Sequence, residues 1–380
     1  MPTFTRLLII RATMSVEDIA LQMTPGIGPR GAAHLLAFFG DAAGVFGASF
    51  EELTDGAELK PELARRIVRR EGFAAAQREL KHCARHGIEA VASTDPLYPP
   101  LLREIPDYPH VVYVQGDASL LASRLLSVVG TRRATDYGRT QCDRVIGELA
   151  RRVPGFAVVS GLAFGIDAAA HRAALAAGVP TVAVLPCSLP GAAPAQHAAL
   201  AREIVDRGGA LLTEIHSQSR QNGTAYVARN RIIAALSAGC WIVESPAAGG
   251  SLLTANFAND YDRTVMALPG RVTDPMSAGT NLLIRNRKAQ AVLTAGDIIR
   301  ELNWDLAPDP ALSRAAEPAQ PLTHEEAALL EFFTSSDPVS VETLRESSGR
   351  GPGELAALLL GLEISGVLRQ LPGGRYMKLP

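Results

Sequence analysis

The sequence predicts an α/β fold: a doubly wound, mainly parallel sheet with helices on both faces. Three observations predict it. Short apolar runs recur at 125–129, 156–159, 181–185, 210–212, 241–243 and 265–268. Each gives way to loop residues, among them Gly130, then Ser160 and Gly161, then Pro186. Stretches of helical pattern lie between the runs. Strands that are apolar on both faces belong in a sheet covered on both sides. Such sheets bind ligands at the carboxyl ends of their strands.

The 380 residues suggest two or three domains. Composition shifts near 95 and 306 separate a small helical N-terminal domain (1–95), the α/β domain (96–305), a linker (306–321) and a C-terminal domain (322–380). The linker carries four prolines and no periodicity. With 47% hydrophobic and 20% charged residues, the chain is globular and not disordered.

A net charge of −2 excludes a uniformly basic nucleic-acid coat. By segment the picture changes. Residues 1–95 hold 11 bases and 12 acids, residues 96–314 hold 21 and 18, and residues 315–380 hold 5 and 9. Only the central segment is positive, at +3, and 20 of its 21 cations are arginine, whose planar fork fits phosphate oxygens. High arginine usage throughout the chain is equally a codon-composition bias.

The four cysteines lie at least 45 residues apart, so no paired metal-ligand spacing exists and no metal is expected. They read as buried thiols of a reducing, cytoplasmic compartment. Four apolar residues at 7–10 are too few for a signal peptide, and Met14 is an alternative start. The uncharged run at 173–201 is broken by four prolines, so no membrane span is expected.

Ser15 and Asp18 are placed to cap a helix running through Gln22. Gly26 and Gly28, with Arg30 beside them, then form a tight hairpin before a second helix. Its amides suit a phosphate, as in a helix-hairpin-helix or SAM-like domain. An ordinary turn in a helical bundle reads the same way, and the residues leave both readings open.

The loops after the strands carry the chemistry. In the first, Gly130 lets backbone approach an anion, Thr131 adds a hydroxyl and Arg132 a fork. The second contains Ser160, Gly161, Phe164 and Gly165 and enters a helix carrying Asp167 and His171. The third contains Ser251 and Thr254 behind two glycines. Two basic clusters, Arg229-Asn230-Arg231 and Arg285-Asn286-Arg287-Lys288, complete the set. None of the loops has the G-x-G-x-x-G fingerprint, so NAD is disfavoured and no cofactor is expected. Several anion-ready sites in one domain suit a polyanion. Singly, each is also an ordinary turn or a solvated helix start.

Together these elements resemble the DNA-processing protein A (DprA, or Smf) family. The resemblance runs from about Tyr98 to Asn281, roughly half the chain. It rests on Val129-Gly130-Thr131-Arg132 with Thr135 and Tyr137-Gly138, and on Ser160-Gly161-Leu162-Ala163 with Gly165-Ile166-Asp167 and His171. Further matches are Arg229-Asn230-Arg231-Ile232-Ile233, Ser251-Leu252-Leu253-Thr254-Ala255, Leu268-Pro269-Gly270 and Gly279-Thr280-Asn281. The resemblance implies an extended Rossmann core that dimerises. It implies a cytoplasmic protein that binds single-stranded DNA and helps load the recombinase RecA in natural transformation, and not an enzyme. Arg132 and the backbone at Ser160 and Gly161 would then hold phosphates. Whether duplex DNA is also bound stays open. Two departures stand out: Phe164 replaces a common lysine, and Arg287-Lys288 stands where Gly-Ala is common.

The alternative is a Rossmann-like nucleotide hydrolase using Asp167 or Glu244. Asp167 and His171, four apart, either face each other on the helix or separately cap and pack. No nucleophile elbow supports catalysis. A third reading makes the loops purely structural.

At the C-terminus, residues 322–326 read as a helix cap. Helical stretches follow at 325–334, 341–347 and 353–365, then two short strands about Pro372-Gly373-Gly374. Three helices and a hairpin resemble a winged helix. Its third helix has two acids and no base over 353–363, and the segment carries −4, so it reads as a protein-interaction module.

Overall fold

The computed structural model describes residues 15–219, 223–304, 323–330, 332–333, 339–364, 367–371 and 374–378. The chain divides into two compact units, residues 1–307 and 308–380. The possible start at Met14 and the linker 306–321 lie outside the described residues.

The first unit begins with five helices: α1 (Val16–Met23), α2 (Pro29–Phe39), α3 (Ala42–Gly47), α4 (Pro61–Val68) and α5 (Phe73–His86). Ser15 Oγ accepts the Asp18 amide at 3.1 Å while the Asp18 carboxylate accepts the Ser15 amide, a capping box that starts α1. Prolines open α2 and α4, where a missing N–H costs nothing. Ile19, Leu21, Leu35, Val45, Leu53 and Ile67 are fully buried between the helices.

A nine-stranded sheet follows. Its strands are β1 (Ile88–Ala92), β2 (Val111–Gly116), β3 (Arg124–Val129), β4 (Phe156–Ser160), β5 (Thr181–Val184), β6 (Ala210–Thr213), β7 (Gly239–Ile242), β8 (Thr264–Ala267) and β9 (Gln290–Ala291). The helices between them are α6 (Pro100–Arg103), α7 (Asp136–Arg152), α8 (Ile166–Ala176), α9 (Ala198–Asp206), α10 (Ala225–Leu236), α11 (Ser251–Asp260) and α12 (Ala278–Arg285), and α13 (Ala295–Glu301) follows β9. The spatial order is β1-β2-β6-β5-β4-β3-β7-β8-β9. From β6 to β9 all neighbours are parallel, and β2 and β1 extend the sheet antiparallel.

Strands β3 to β8 are the six apolar runs; β1, β2 and β9 are additional. The period-2 alternation divides each run between two cores. Val129, Val159, Val182 and Ile242 pack with Ile232 and Ile233 of α10 on one face. Leu126, Val128, Val158 and Trp241 pack with Val145, Ile146 and Leu149 of α7 on the other. The chain winds outward from β3 to β6, then returns to lie beside β3 as β7 and winds the other way. The order therefore reverses between β3 and β7, and a crevice opens at their carboxyl ends.

The helices dock onto the sheet through polar ties. Gln22 donates to the carbonyls of Val111 and Glu214, both at 3.1 Å, and the buried His110 ring meets Asp18 at 3.0 Å. Among the described residues no helix is long and apolar enough to cross a membrane.

The second unit contains α14 (His324–Leu330), β10 (Val339–Ser340), α15 (Val341–Ser348), α16 (Pro352–Ile364), β11 (Leu368–Leu371) and β12 (Arg375–Lys378). Thr323 and Glu326 form the expected cap of α14. The strands form an antiparallel sheet in the order β10-β12-β11, closing over Leu344, Leu355, Leu359, Leu362 and Leu368. This is a winged-helix arrangement; β10 is its unanticipated strand. Pro372 and Gly373 of the expected turn lie outside the described residues.

Candidate nucleic-acid interface

The first loop leaves β3 at the point of reversal and is stitched down on both sides. The Thr131 amide donates to the Glu244 carbonyl beyond β7 at 2.7 Å, and the Thr131 carbonyl accepts the Ile166 amide of α8 at 3.1 Å. Gly130 sits in this seam: a Cβ there would lie 2.6 Å from the Ile166 side chain and 2.8 Å from the Glu244 carbonyl. Arg132 and Arg133 emerge exposed from the anchored backbone. The Arg132 guanidinium lies over the Tyr226 ring, 5.4 Å from its centroid.

The second loop leaves β4. The buried Ser160 hydroxyl donates to the Val128 carbonyl at 2.6 Å, so this side chain binds the neighbouring strand and faces no ligand. Gly165, at φ 78°, crosses so close to the first loop that a Cβ would meet the Thr131 carbonyl at 2.2 Å. Only glycine fits both constraints. Phe164, just before it, is 44% exposed. Behind the loop Asp167 is buried and accepts the Ala163 amide. Burial pushes its carboxyl pKa up, against the opposing pull of Arg229 and the loop amides.

The third loop ends at the start of α11, where Gly250 is the cap and no side chain bonds the first turn. The Leu252 and Leu253 amides bond the Gly249 and Gly250 carbonyls at 3.1 and 3.2 Å, so it is the positive end of the α11 dipole that borders the crevice, not a row of free amides. Ser251 bonds the Ser245 hydroxyl at 2.9 Å, and Thr254 is buried one turn further on. The crevice, about 380 Å³, brings together Gly130, Thr131, Arg132, Asn230, Ser251 and Thr254. Arg133 and Arg229 also line it.

Other expected residues stand elsewhere or are already engaged. Arg229 is only 4% exposed; its Nη1 donates to the Gly161 carbonyl at 2.5 Å and the Val184 carbonyl at 2.7 Å. Arg231 points away from the crevice and is paired with Glu214 at 2.5 Å and Asp107 at 3.5 Å. Neither is a free phosphate grip. Helical spacing carried the signal: Arg229 shares a face with Ile232, Ile233 and Leu236, the face that packs on the sheet. Asn281 clamps both backbone groups of Gly270.

Arg285, Arg287 and Lys288 are exposed, but α12 runs from the carboxyl end of β8 back to the amino end of β9. They therefore lie at the opposite end of the strands from the crevice. Gly26, Gly28 and Arg30 are exposed in the α1–α2 hairpin. Arg66 of α4 braces this hairpin through the Pro25 carbonyl at 2.9 Å. It borders a separate cleft of about 460 Å³, with Ile27 and Pro29 on one wall and Pro186 and Glu214 on the other.

Asp167 and His171 do not pair. His171 is fully buried and bonds the Thr181 hydroxyl at 2.7 Å. Glu244 is fully buried as well and accepts both the amide and the hydroxyl of Thr135. Among the described residues no group of three or more His, Cys, Asp or Glu is placed to hold a metal. Sequence reasoning missed the crevice residue Arg133 and Tyr226, the ring under Arg132. The first was overshadowed by its neighbour, and the second lies one turn before Arg229.

The DNA recombination-mediator protein A family matches residues 89–303, and the DprA winged helix domain matches residues 313–374. Protein Smf of Escherichia coli K12 is 35% identical over 288 residues, 74% of this chain and 75% of that protein. DNA processing protein DprA of Bacillus subtilis is 34% identical over 247 residues, covering 65% and 80% of the two chains. The structure of DprA from Streptococcus pneumoniae superposes with a TM-score of 0.66 at 27% identity, over 76% of this chain and 98% of that one. DprA from Helicobacter pylori, solved for its single-stranded DNA binding mode, gives 0.51 at 28% identity over 57% and 96%. This chain belongs to the DNA recombination-mediator protein A family.

Proposed function

We propose that this chain binds single-stranded DNA along the β3–β7 crevice and helps load a RecA-type recombinase onto the bound strand. The observation that carries the reading is one convergence: exposed Arg132 and Arg133 and the positive amino end of α11 line the same crevice at the reversal of strand order. Guanidinium forks and helix amides are phosphate ligands that ignore base identity. The net +3 of the central segment is small, so local geometry supplies the grip. The single-stranded DNA binding of the Helicobacter relative supports the same reading. Arg229 and the glycines shape the loops, while Arg132 and Arg133 touch the strand. Carboxylate chemistry gains no support, because Asp167 and Glu244 are both engaged in holding loops.

The test is binding of a fluorescent oligonucleotide, single-stranded and duplex, across a salt series. Affinity for the single strand falls about tenfold or more over a several-fold rise in salt. Arg132→Ala lowers the salt slope by about one. Binding indifferent to salt, or unchanged by Arg132→Glu, overturns the reading. Recombinase filament assembly on the same strand, measured with and without the protein, tests the loading step.

A further inference from the structure

We propose that Phe164 is the platform on which an unpaired base of the bound strand stacks, making this residue the one that selects single strands over duplexes. The inference rests on the DNA-binding reading above and adds to it the recognition of the base.

A phenylalanine is ordinarily buried, yet this ring is 44% exposed. Its position is fixed. The next residue, Gly165, is wedged against the backbone of Thr131 and Arg132, which sets Phe164 beside the first loop and its arginines. The ring also packs against His197, with centroids 4.7 Å apart and planes at 60°. His197 is itself 7% exposed and bonded to the Leu162 carbonyl at 2.6 Å, so the support does not swing. Phenylalanine has nothing to offer a phosphate, but its π-face accepts any base. The Arg132 backbone runs against Gly165, the residue after Phe164, and the Arg132 guanidinium lies over Tyr226, so cation and aromatic side chains share this loop region, as backbone and base share a strand. In a duplex both faces of each base are covered by neighbouring base pairs. An unpaired strand leaves them open.

The experiment compares the full chain with Phe164→Leu, which keeps apolar packing on His197, and Phe164→Trp. The ligands are a fluorescent oligothymidylate and the same phosphodiester chain with abasic sites, at fixed salt. The wild type is expected to prefer the base-bearing chain by about 5- to 150-fold for one stacked base. Phe164→Leu loses that preference and keeps the salt slope, and Phe164→Trp retains the preference. Equal wild-type binding of the two ligands, or a Phe164→Leu variant as selective as the wild type, overturns the proposal. Failure of the underlying reading looks different: neither ligand then shows salt-dependent binding to the wild type. A thermal melt of each variant shows whether it is folded.

Discussion

Arg229 reaches beneath the second loop and holds the Gly161 carbonyl at 2.5 Å, with the buried Asp167 among the charges that surround its guanidinium. A cation and an anion, both out of water, thus brace the backbone that borders the crevice. Removing the guanidinium leaves the Gly161 and Val184 carbonyls without their donor and the nearby Asp167 carboxyl without its compensating charge. Arg229→Ala is expected to destabilise the protein by about 3–5 kcal/mol. Arg132→Ala, at an exposed site, should change stability by less than about 0.5 kcal/mol while weakening DNA binding. Urea midpoints beside binding curves check this. An Arg229→Ala protein of unchanged midpoint but lost affinity would make Arg229 a direct contact after all.

Gly165 tests how tightly the two loops are locked. Gly155 shares its positive φ, 70° against 78°, but a Cβ there meets nothing within 4 Å. Gly155→Ala gives the cost of a Cβ at positive φ in open space, about 1 kcal/mol, whereas Gly165, at ψ −124°, lies outside the left-handed helical region altogether. Gly165→Ala adds a collision with the Thr131 and Arg132 carbonyls, at 2.2 and 2.7 Å. It should cost clearly more and displace Arg132, lowering DNA affinity as well. Equal midpoint shifts in the two variants would mean that the loops separate freely.

The sheet was readable where both of its faces are buried. Residues 125–129 and 241–243 are apolar at every position or nearly so, and no helix of that length is expected to be. The β2 run Val-Val-Tyr-Val is equally apolar, but its antiparallel partners β1 and β6 lie on either side of it in sequence, β6 about a hundred residues away. Nothing local announces that pairing. β9 has two residues and no pattern. At the site, glycines after strands marked the loops correctly because close approach leaves no room for a Cβ. Arginines misled for the opposite reason: the type gives the charge but not the direction. Arg132 reaches solvent from a loop, while Arg229 and Arg231 lie on a helix buried nearly all round.

His171 gives the fold an acid-sensitive point. The Thr181 hydroxyl donates to the Val158 carbonyl, so it accepts from His171 Nδ1–H, and Nε2 faces the core without a partner. Burial, reinforced by the nearby Arg229, lowers the imidazole pKa to about 3. An unfolded histidine takes up its proton near pH 6.5. The stability tied to this site is therefore complete above that pH and declines as pH falls toward 3, by up to about 1.4 kcal/mol per pH unit. His171→Gln keeps a donor for Thr181 and cannot titrate. Asp167 has the opposite sign, since burial raises its pKa, but it is common to both proteins. The difference between their urea midpoints should shrink from pH 8 to pH 4; a constant difference would show that the ring ionises inside the core.

Glu244 separates a structural carboxylate from a catalytic one. Its Oε1 accepts the Thr135 hydroxyl at 2.5 Å and its Oε2 the Thr135 amide at 2.9 Å. Gly138 leaves room for it, since a Cβ there would lie 2.3 Å from Oε2. The carboxylate thus sits against the first turn of α7, at the positive end of a 17-residue helix, and ties that helix to the end of β7. With full burial and both oxygens engaged, it has no route to a substrate. Glu244→Gln removes the charge from both bonds and sets an amide donor against a donor, and Thr135→Val removes the hydroxyl bond together with the α7 cap to Gly138, so each should destabilise by about 1–3 kcal/mol. Incubated with nucleoside monophosphates, the wild type should release no free base, and neither variant should differ. Base release by the wild type that disappears in Glu244→Gln, with the urea midpoint unmoved, would restore the hydrolase reading.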